Sequence, residues 1–363
     1  MPLRVPIRCS ILLAMLIAAP SLATAQSPSQ REAVVSDDTP AVALVLPTAR
    51  LAAEQAQAPP PERRRRRPSM VGYIEDASVT SQIRFRFDSG FGNDVPDRAE
   101  FFYAKCGCYI FDPAPYDDRD APGPGPGVPS ELNFQQFYAY VERAFTSRLS
   151  VFGELPYRSI QPQGFLEFGP PYFPWGDHAG LGDIRFGVKA SLFDDGDKGL
   201  TALVRMSAPS GDAGMGLGSN HATIEPSVLF HTRAGERVGF EAQFSYWHMF
   251  GGSAGVVSDD RFSGDVITYG FGPSFDLVST DTFRFAPVVE LVGWRVLNGF
   301  QTKCDAVTLT CDYDASGVNI FNAKIGGRAT IRDRHSVYAG FGWGLTDDVW
   351  YDKLFRLEYR LGF

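Results

Sequence analysis

The 363-residue sequence has no apolar run near the roughly twenty residues that a membrane-spanning helix requires. It also has no excess of basic charge, since 34 Lys and Arg face 42 Asp and Glu for a formal net charge of -8. The five histidines are scattered without the spacing of metal ligands, and no histidine lies near the one Cys-x-Cys pair, Cys106 and Cys108, which could otherwise suggest a metal site. These absences exclude a helical membrane protein and argue against nucleic-acid binding and against a metal or other cofactor. They leave a membrane β-barrel open, because barrel strands distribute their apolar residues by alternation.

The first 25 residues have the layout of an export signal. Arg4 and Arg8 form a basic start, residues 11–19 form an apolar core, and residues 23–25 (Ala-Thr-Ala) supply a cleavage pattern of small residues. The apolar core is too short to cross about 30 Å of hydrocarbon as a helix. We therefore predict cleavage after Ala25 and export from a bacterial cytoplasm.

Residues 26–80 are predicted to form a disordered periplasmic tether. Much of this stretch is rich in Ala, Pro, Gln and Ser, and it contains a proline tract followed by five consecutive arginines, Arg63 to Arg67. The arginine run is interpreted either as a contact for anionic lipid or cell-wall polymer or as a solvated run beside prolines.

The clearest strand is the last one, in which apolar and charged residues alternate. An apolar face directed to lipid and a charged face directed to a polar lumen are typical of a membrane barrel strand. This ending resembles the C-terminal signal that the assembly machinery of bacterial outer-membrane barrels reads. The candidate signal residues are Phe355, Leu357, Tyr359, Leu361 and Phe363.

The same alternation recurs in twelve segments between Ser81 and Phe363. The links between them are short after the even segments and long after the odd ones, which is typical of an outer-membrane barrel. An even count returns both termini to the short-turn side. We predict an all-β protein: a monomeric, transmembrane, antiparallel up-and-down β-barrel of about twelve strands over residues 81–363, embedded in outer-membrane lipid.

By alternation, the predicted lumen face carries nine cations and seven acids. This face has two open interpretations: a water-filled pore with a mild preference for anions, or a lattice of ion pairs that closes a narrow barrel. The residues are Arg84, Arg86, Arg185, Lys189, Arg205, Arg284, Arg328, Arg356 and Arg360, with Glu142, Glu154, Glu225, Glu241, Asp276, Glu290 and Glu358.

Two tryptophans, Trp247 and Trp294, fall on the lumen side near the long-loop end of their strands. An interfacial aromatic girdle faces lipid, so it does not explain them. We predict an aromatic entry site at the outer mouth of the barrel.

Two short motifs carry a family resemblance. Residues 180–189 (GLGDIRFGVK) and 205–212 (RMSAPSGD) resemble the "GLGD" strand and the Pro-x-Gly-Asp corner of the phenol-degradation meta-pathway family of outer-membrane proteins. The resemblance implies a barrel and the passage of small, possibly aromatic, molecules, and it supplies no catalytic residues.

Four cysteines remain after the predicted cleavage, and an exported protein is expected to hold them oxidised. Cys304 and Cys311 share one predicted outer loop, so our first expectation is a disulfide between them. Cys106 and Cys108 lie in the first outer loop and pair with each other or with the other loop.

The sequence thus favours a channel or transporter for a small-molecule solute, aromatic or anionic, over an enzyme. A closed structural or adhesive barrel that displays its outer loops is the alternative. An outer-membrane hydrolase is a third hypothesis, for which we find no local signature.

Overall fold

The computed structural model describes residues 67–93, 129–165, 176–212, 215–219, 221–251, 263–305 and 310–363. The predicted signal peptide, tether residues 26–66, Cys106 and Cys108 lie outside these ranges. No helix among the described residues is long and apolar enough to cross a membrane.

The described residues form sixteen strands. They are β1 (Gln82–Asn93), β2 (Pro129–Thr146), β3 (Leu149–Phe165), β4 (His178–Leu181), β5 (Ile184–Asp194), β6 (Lys198–Ala208), β7 (Ala222–Ala234), β8 (Val238–Phe250), β9 (Val266–Phe275), β10 (Val278–Ser279), β11 (Phe283–Val296), β12 (Phe300–Asp305), β13 (Thr310–Asp314), β14 (Asn319–Ile331), β15 (His335–Gly344) and β16 (Lys353–Gly362).

Twelve of these strands build a closed antiparallel barrel, as predicted. Each wall strand pairs with the next along the chain, and the ends join where β1 pairs with β16, from Gln82 opposite Gly362 to Phe91 opposite Lys353. The closed wall leaves no unpaired sheet edge, which matters where no water is present to satisfy the backbone.

The two-residue period of the sequence sorts side chains between the two faces of the wall. On β1 the outward Phe85 is 43% exposed, whereas its inward neighbour Arg84 is 2% exposed. The pattern repeats around the barrel, so an exposed apolar surface encloses a charged interior. The terminal strand β16 follows it, with Phe355 and Leu357 exposed and Arg356 and Glu358 buried.

Four short strands add to the predicted set. Strand β4 extends the pairing of β3 and β10 pairs with β11, while β12 and β13 form a separate hairpin in the long loop between β11 and β14. Cys304 and Cys311 are backbone register partners in this hairpin. A disulfide between them stays a prediction.

The largest difference from expectation concerns residues 67–81, here called the lumen segment. We expected residues up to 80 to be part of a disordered tether, yet this stretch lies inside the barrel. Arg67 contacts Asp276 and the Glu236 carbonyl at the short-turn end. The segment then rises to Tyr73 and returns to Ser81, whose carbonyl accepts from the Phe363 N–H at 3.0 Å. It has no alternating pattern because it pairs with interior side chains rather than with a strand.

Candidate functional site

The amide groups of the lumen segment are held by one wall carboxylate. Glu290, which is fully buried on β11, accepts from the backbone N–H groups of Gly72 at 3.1 Å and of Tyr73 and Ile74 at 2.8 Å each. Three consecutive N–H donors match the acceptor capacity of the two carboxylate oxygens. The position of Gly72 also requires glycine, since a Cβ there would lie 2.3 Å from the Tyr338 ring.

The carbonyl groups of the same segment are held by wall cations. Arg328 donates to the Val71 carbonyl at 2.7 Å and to the Met70 carbonyl at 3.2 Å, and Arg356 donates to the Gly72 carbonyl at 2.8 Å. Further along, Lys189 donates to the Asp76 carbonyl at 3.1 Å. Wall side chains therefore satisfy this backbone where a neighbouring strand would normally do so.

Ion pairs link the wall side chains to one another and to the segment. Arg84 lies between Glu75 of the segment at 3.5 Å and Glu154 of β3 at 3.5 Å, and Arg205 donates to Glu75 at 2.5 Å. Arg356 forms two hydrogen bonds of 2.6 and 2.7 Å with Asp88. These buried charges are thus paired with one another, which offsets the cost of burying them.

The structure directs all sixteen predicted lumen residues inward and brings most of them into this network. Glu142 contacts Lys189, Glu225 contacts Arg205, Glu241 accepts from Ser69, Arg284 lies near Asp276, and Arg86, Arg185, Arg360 and Glu358 lie in ion pairs.

A cavity of about 270 Å³, here called the vestibule, lies between the lumen segment and the long-loop end of the barrel. Tyr73 and Glu75 of the segment lie among its lining residues, and six basic side chains line it against four acidic ones. This cavity is the candidate functional site, because it is concave and combines aromatic rings with several charged side chains.

Aromatic rings line the upper vestibule. Trp247 and Trp294, singled out from the sequence, both line it. Trp350, from the loop before β16, stacks on Trp294 with ring centroids 4.8 Å apart and planes inclined by 23°. Trp350 lies outside the predicted strands, so the alternating pattern could not predict which way its side chain faces.

Lys324 of β14 is the second functional candidate that sequence reasoning did not single out. Its ammonium lies 3.9 Å from the ring centroid of Tyr73, and it donates a hydrogen bond to the Tyr351 hydroxyl. Alternation does place Lys324 on the inner face, which was the available signal.

His221 adds a neutral polar group to the vestibule lining. Burial lowers the pKa of its imidazole below the ordinary value. Nδ1 lies 3.3 Å from the Ser263 hydroxyl, and Nε2 has no hydrogen-bond partner among the described residues.

The motif residue Asp183 ties the loop between β6 and β7 across the mouth. Its carboxylate accepts from the Gly211 N–H at 2.9 Å and from the Ser219 N–H and hydroxyl at 2.8 Å each. This places Leu217, 3% exposed, against a cluster that includes Phe134 of β2. The two motifs that suggested a family thus have a physical role: one carboxylate holds the loop.

Replacing Asp183 with asparagine is expected to loosen this loop, because the amide cannot accept all three donors. Limited proteolysis of the folded protein should cut within residues 209–219 several times faster than in the wild type. Asp195→Asn is a matched control, since Asp195 caps its own turn at the opposite end of the barrel. Equal cleavage rates for D183N and wild type would contradict this role.

Among the described residues, no group of three or more His, Cys, Asp or Glu side chains is arranged to hold a metal ion.

No protein-family model matches the sequence. No curated protein matches it either. Similar solved structures include an outer membrane channel from Pseudomonas putida F1, at 13% identity over 85% of this chain and 100% of that chain, with a TM-score of 0.47. The NanC porin is 9% identical over 78% and 100% with a TM-score of 0.41, and LpxR from Salmonella typhimurium is 10% identical over 78% and 100% with a TM-score of 0.40. Likeness at this level assigns no family and no substrate, so the proposals below rest on the geometry of the chain itself.

Proposed function

We propose that this protein is an outer-membrane transport channel for small molecules, and that the lumen segment keeps it closed at rest. The observation that carries the proposal is the vestibule, which is bounded on one side by Tyr73 and Glu75 of the chain's own segment. The exposed apolar belt supports a location in lipid. We place the short-turn end and the N-terminal tether on the periplasmic side because outer-membrane barrels have their short turns there. The protein acts as a monomer and not as an enzyme.

The contacts of the lumen segment support the proposal that it can leave the lumen without unfolding the barrel. Its main chain is bound by hydrogen bonds from side chains, while the barrel wall closes by itself through pairing of β1 with β16. Displacing the segment costs these contacts but leaves the wall ladder intact. The charged side chains that it releases, such as Glu290 and Arg328, then line a polar path through the barrel.

Planar-bilayer recordings test the proposal directly. The mature wild-type protein is compared with a variant in which residues 67–80 are replaced by a glycine-serine linker of equal length. We expect rare, brief openings in the wild type and steady conductance in the variant. If the variant is folded, as shown by heat-modifiable gel mobility, and still does not conduct, the channel proposal is wrong.

A folded linker variant that does not conduct would favour the alternative function, a closed barrel that displays its outer loops. The dense ion pairing of the interior, such as Arg356 with Asp88, is the observation in its favour. In that case the linker variant should lose stability and gain no conductance.

The C-terminal residue provides a test of the proposed partner, the barrel assembly machinery. Replacing Phe363 with serine is expected to reduce the amount of assembled protein in the outer membrane severalfold, because the resemblance makes this residue part of the recognised signal. Phe283→Ser is a matched control, since Phe283 is an exposed residue at the end of another wall strand. Fractionated membranes probed by immunoblot measure both, and equal losses would contradict recognition of the terminus.

A further inference from the structure

Lys324 is a buried lysine that packs among aromatic rings. Its side chain lies in a nest of rings, with the ammonium 3.9, 5.0 and 5.8 Å from the ring centroids of Tyr73, Tyr351 and Trp294. Within the part of the chain that the structure describes, no carboxylate oxygen lies within the 4.0 Å ion-pair distance of this ammonium. Its neighbours Arg328 and Arg356, by contrast, each contact a carboxylate at 2.6 Å.

The wall carboxylate opposite Lys324 already has other hydrogen-bond partners. Glu290 lies directly opposite Lys324 in the pairing of β11 with β14. Its two oxygens accept from the lumen segment and from the Tyr338 hydroxyl. The ring faces of Tyr73 and its neighbours therefore stabilise the ammonium in place of an anion.

Resting on the proposed function, we propose that the vestibule binds a small aromatic carboxylate and that this ligand displaces the lumen segment. The carboxylate meets the Lys324 ammonium, and the ring meets the aromatic surface formed by Trp294 and Trp350. The excess of basic over acidic lining residues favours a negative ligand, and the cavity of about 270 Å³ suits a molecule with one ring.

Competition at Lys324 connects binding with opening. Tyr73 belongs to the segment, and its ring covers one side of the ammonium that the ligand needs. A ligand that takes over the ammonium removes one of the contacts that hold the segment in the lumen. Since the ligand then binds the displaced state more tightly than the closed state, it shifts the population toward the open channel.

Equilibrium binding to the full mature chain in detergent tests this inference, with tryptophan fluorescence as the readout. Benzoate carries both ring and charge, benzamide carries the ring alone, and acetate carries the charge alone. We expect saturable binding of benzoate, at least about tenfold tighter than either control, because a charge-assisted contact in a dry site is worth this much.

Two variants should shift the affinity for benzoate in opposite directions. Lys324→Met removes the charge at similar length and is expected to weaken binding by about tenfold or more. Tyr73→Leu removes the competing ring and is expected to strengthen it severalfold. Lys353→Met is the matched control, since Lys353 is an exposed lysine at the start of β16, and it should leave the affinity unchanged.

If Lys324 had only a structural role, K324M and Y73L would not change the affinity for benzoate in opposite directions. The inference is overturned if benzoate does not bind saturably, if benzamide or acetate binds as tightly, or if K324M and Y73L change the affinity in the same direction or not at all. None of these readouts needs conductance. If the linker variant conducts but the protein does not bind benzoate, the ligand proposal is wrong and the channel proposal stands. If the folded linker variant does not conduct, the channel proposal is wrong.

Discussion

Replacing Glu290 with glutamine is expected to shift the barrel toward its open, ion-conducting state by roughly a hundredfold. The wild-type carboxylate accepts from three consecutive backbone N–H groups, of Gly72, Tyr73 and Ile74. Glutamine keeps one acceptor oxygen and presents an amide donor in place of the other, so at least one of these N–H groups faces a second donor.

The loss for the closed state should be about 3 kcal/mol, because hydrogen bonds to a charged group contribute roughly 1.5–3 kcal/mol each and a buried donor is left without an acceptor. This corresponds to a shift of roughly a hundredfold in the equilibrium between closed and open states. Open probability in planar bilayers measures this shift.

Glu225→Gln is the matched control. Glu225 is another interior glutamate, and it forms an ion pair with Arg205 of the wall, which also donates to Glu75, so this arginine links it to the lumen segment. It should leave the open probability within severalfold of the wild type. If E225Q and E290Q conduct alike, the loss of any interior charge opens the barrel, and the segment is not the gate.

Replacing Arg328 with methionine is expected to give the largest loss of stability. Arg328 is fully buried and donates to Glu358 at 2.6 Å, to the Ser336 hydroxyl at 3.1 Å and to the carbonyls of Val71 and Met70. Breaking a buried pair while leaving its carboxylate typically costs about 3–5 kcal/mol. Since Glu358 keeps Arg360 at 2.6 Å, the expected loss is about 3 kcal/mol, at the lower end of that range.

Urea titration of the protein in lipid vesicles measures this loss as a lower unfolding midpoint. Arg328→Lys should fall between the wild type and R328M, because lysine keeps the charge but cannot supply the forked donors. Arg148→Met, at an exposed arginine in the turn between β2 and β3, should change the free energy of unfolding by less than about 0.5 kcal/mol. An R328M midpoint equal to that of R148M would show that the contacts of Arg328 are replaceable.

The strands of the barrel wall were predictable from the sequence because the pattern that specifies each strand lies in consecutive residues. In a strand, neighbouring side chains point to opposite faces, so the alternation of Ile83, Phe85 and Phe87 with Arg84 and Arg86 specifies both the strand and its orientation. Alternation also limits the register, since a shift by one residue would turn charges toward lipid. The twelve wall strands and the inward direction of the charged residues follow from it.

The identity of each partner in the lumen did not follow from that rule. Alternation directs Glu290 and Arg328 inward but cannot say whether they line water, pair with each other or bind something else. In the structure both bind the lumen segment, which is more than 200 positions away in sequence from each of them. Such pairings depend on closure of the barrel, which brings distant strands to one cavity.

The sequence by itself determined a closed, charged-inside barrel, since every strand carries its own two-residue pattern. Only the tertiary structure decided that residues 67–81 fill part of the lumen and that Trp350 and Lys324 help to line the vestibule. The lumen segment has no period because wall side chains, rather than a neighbouring strand, satisfy its backbone. Its sequence therefore resembles that of a linker until the barrel supplies its partners.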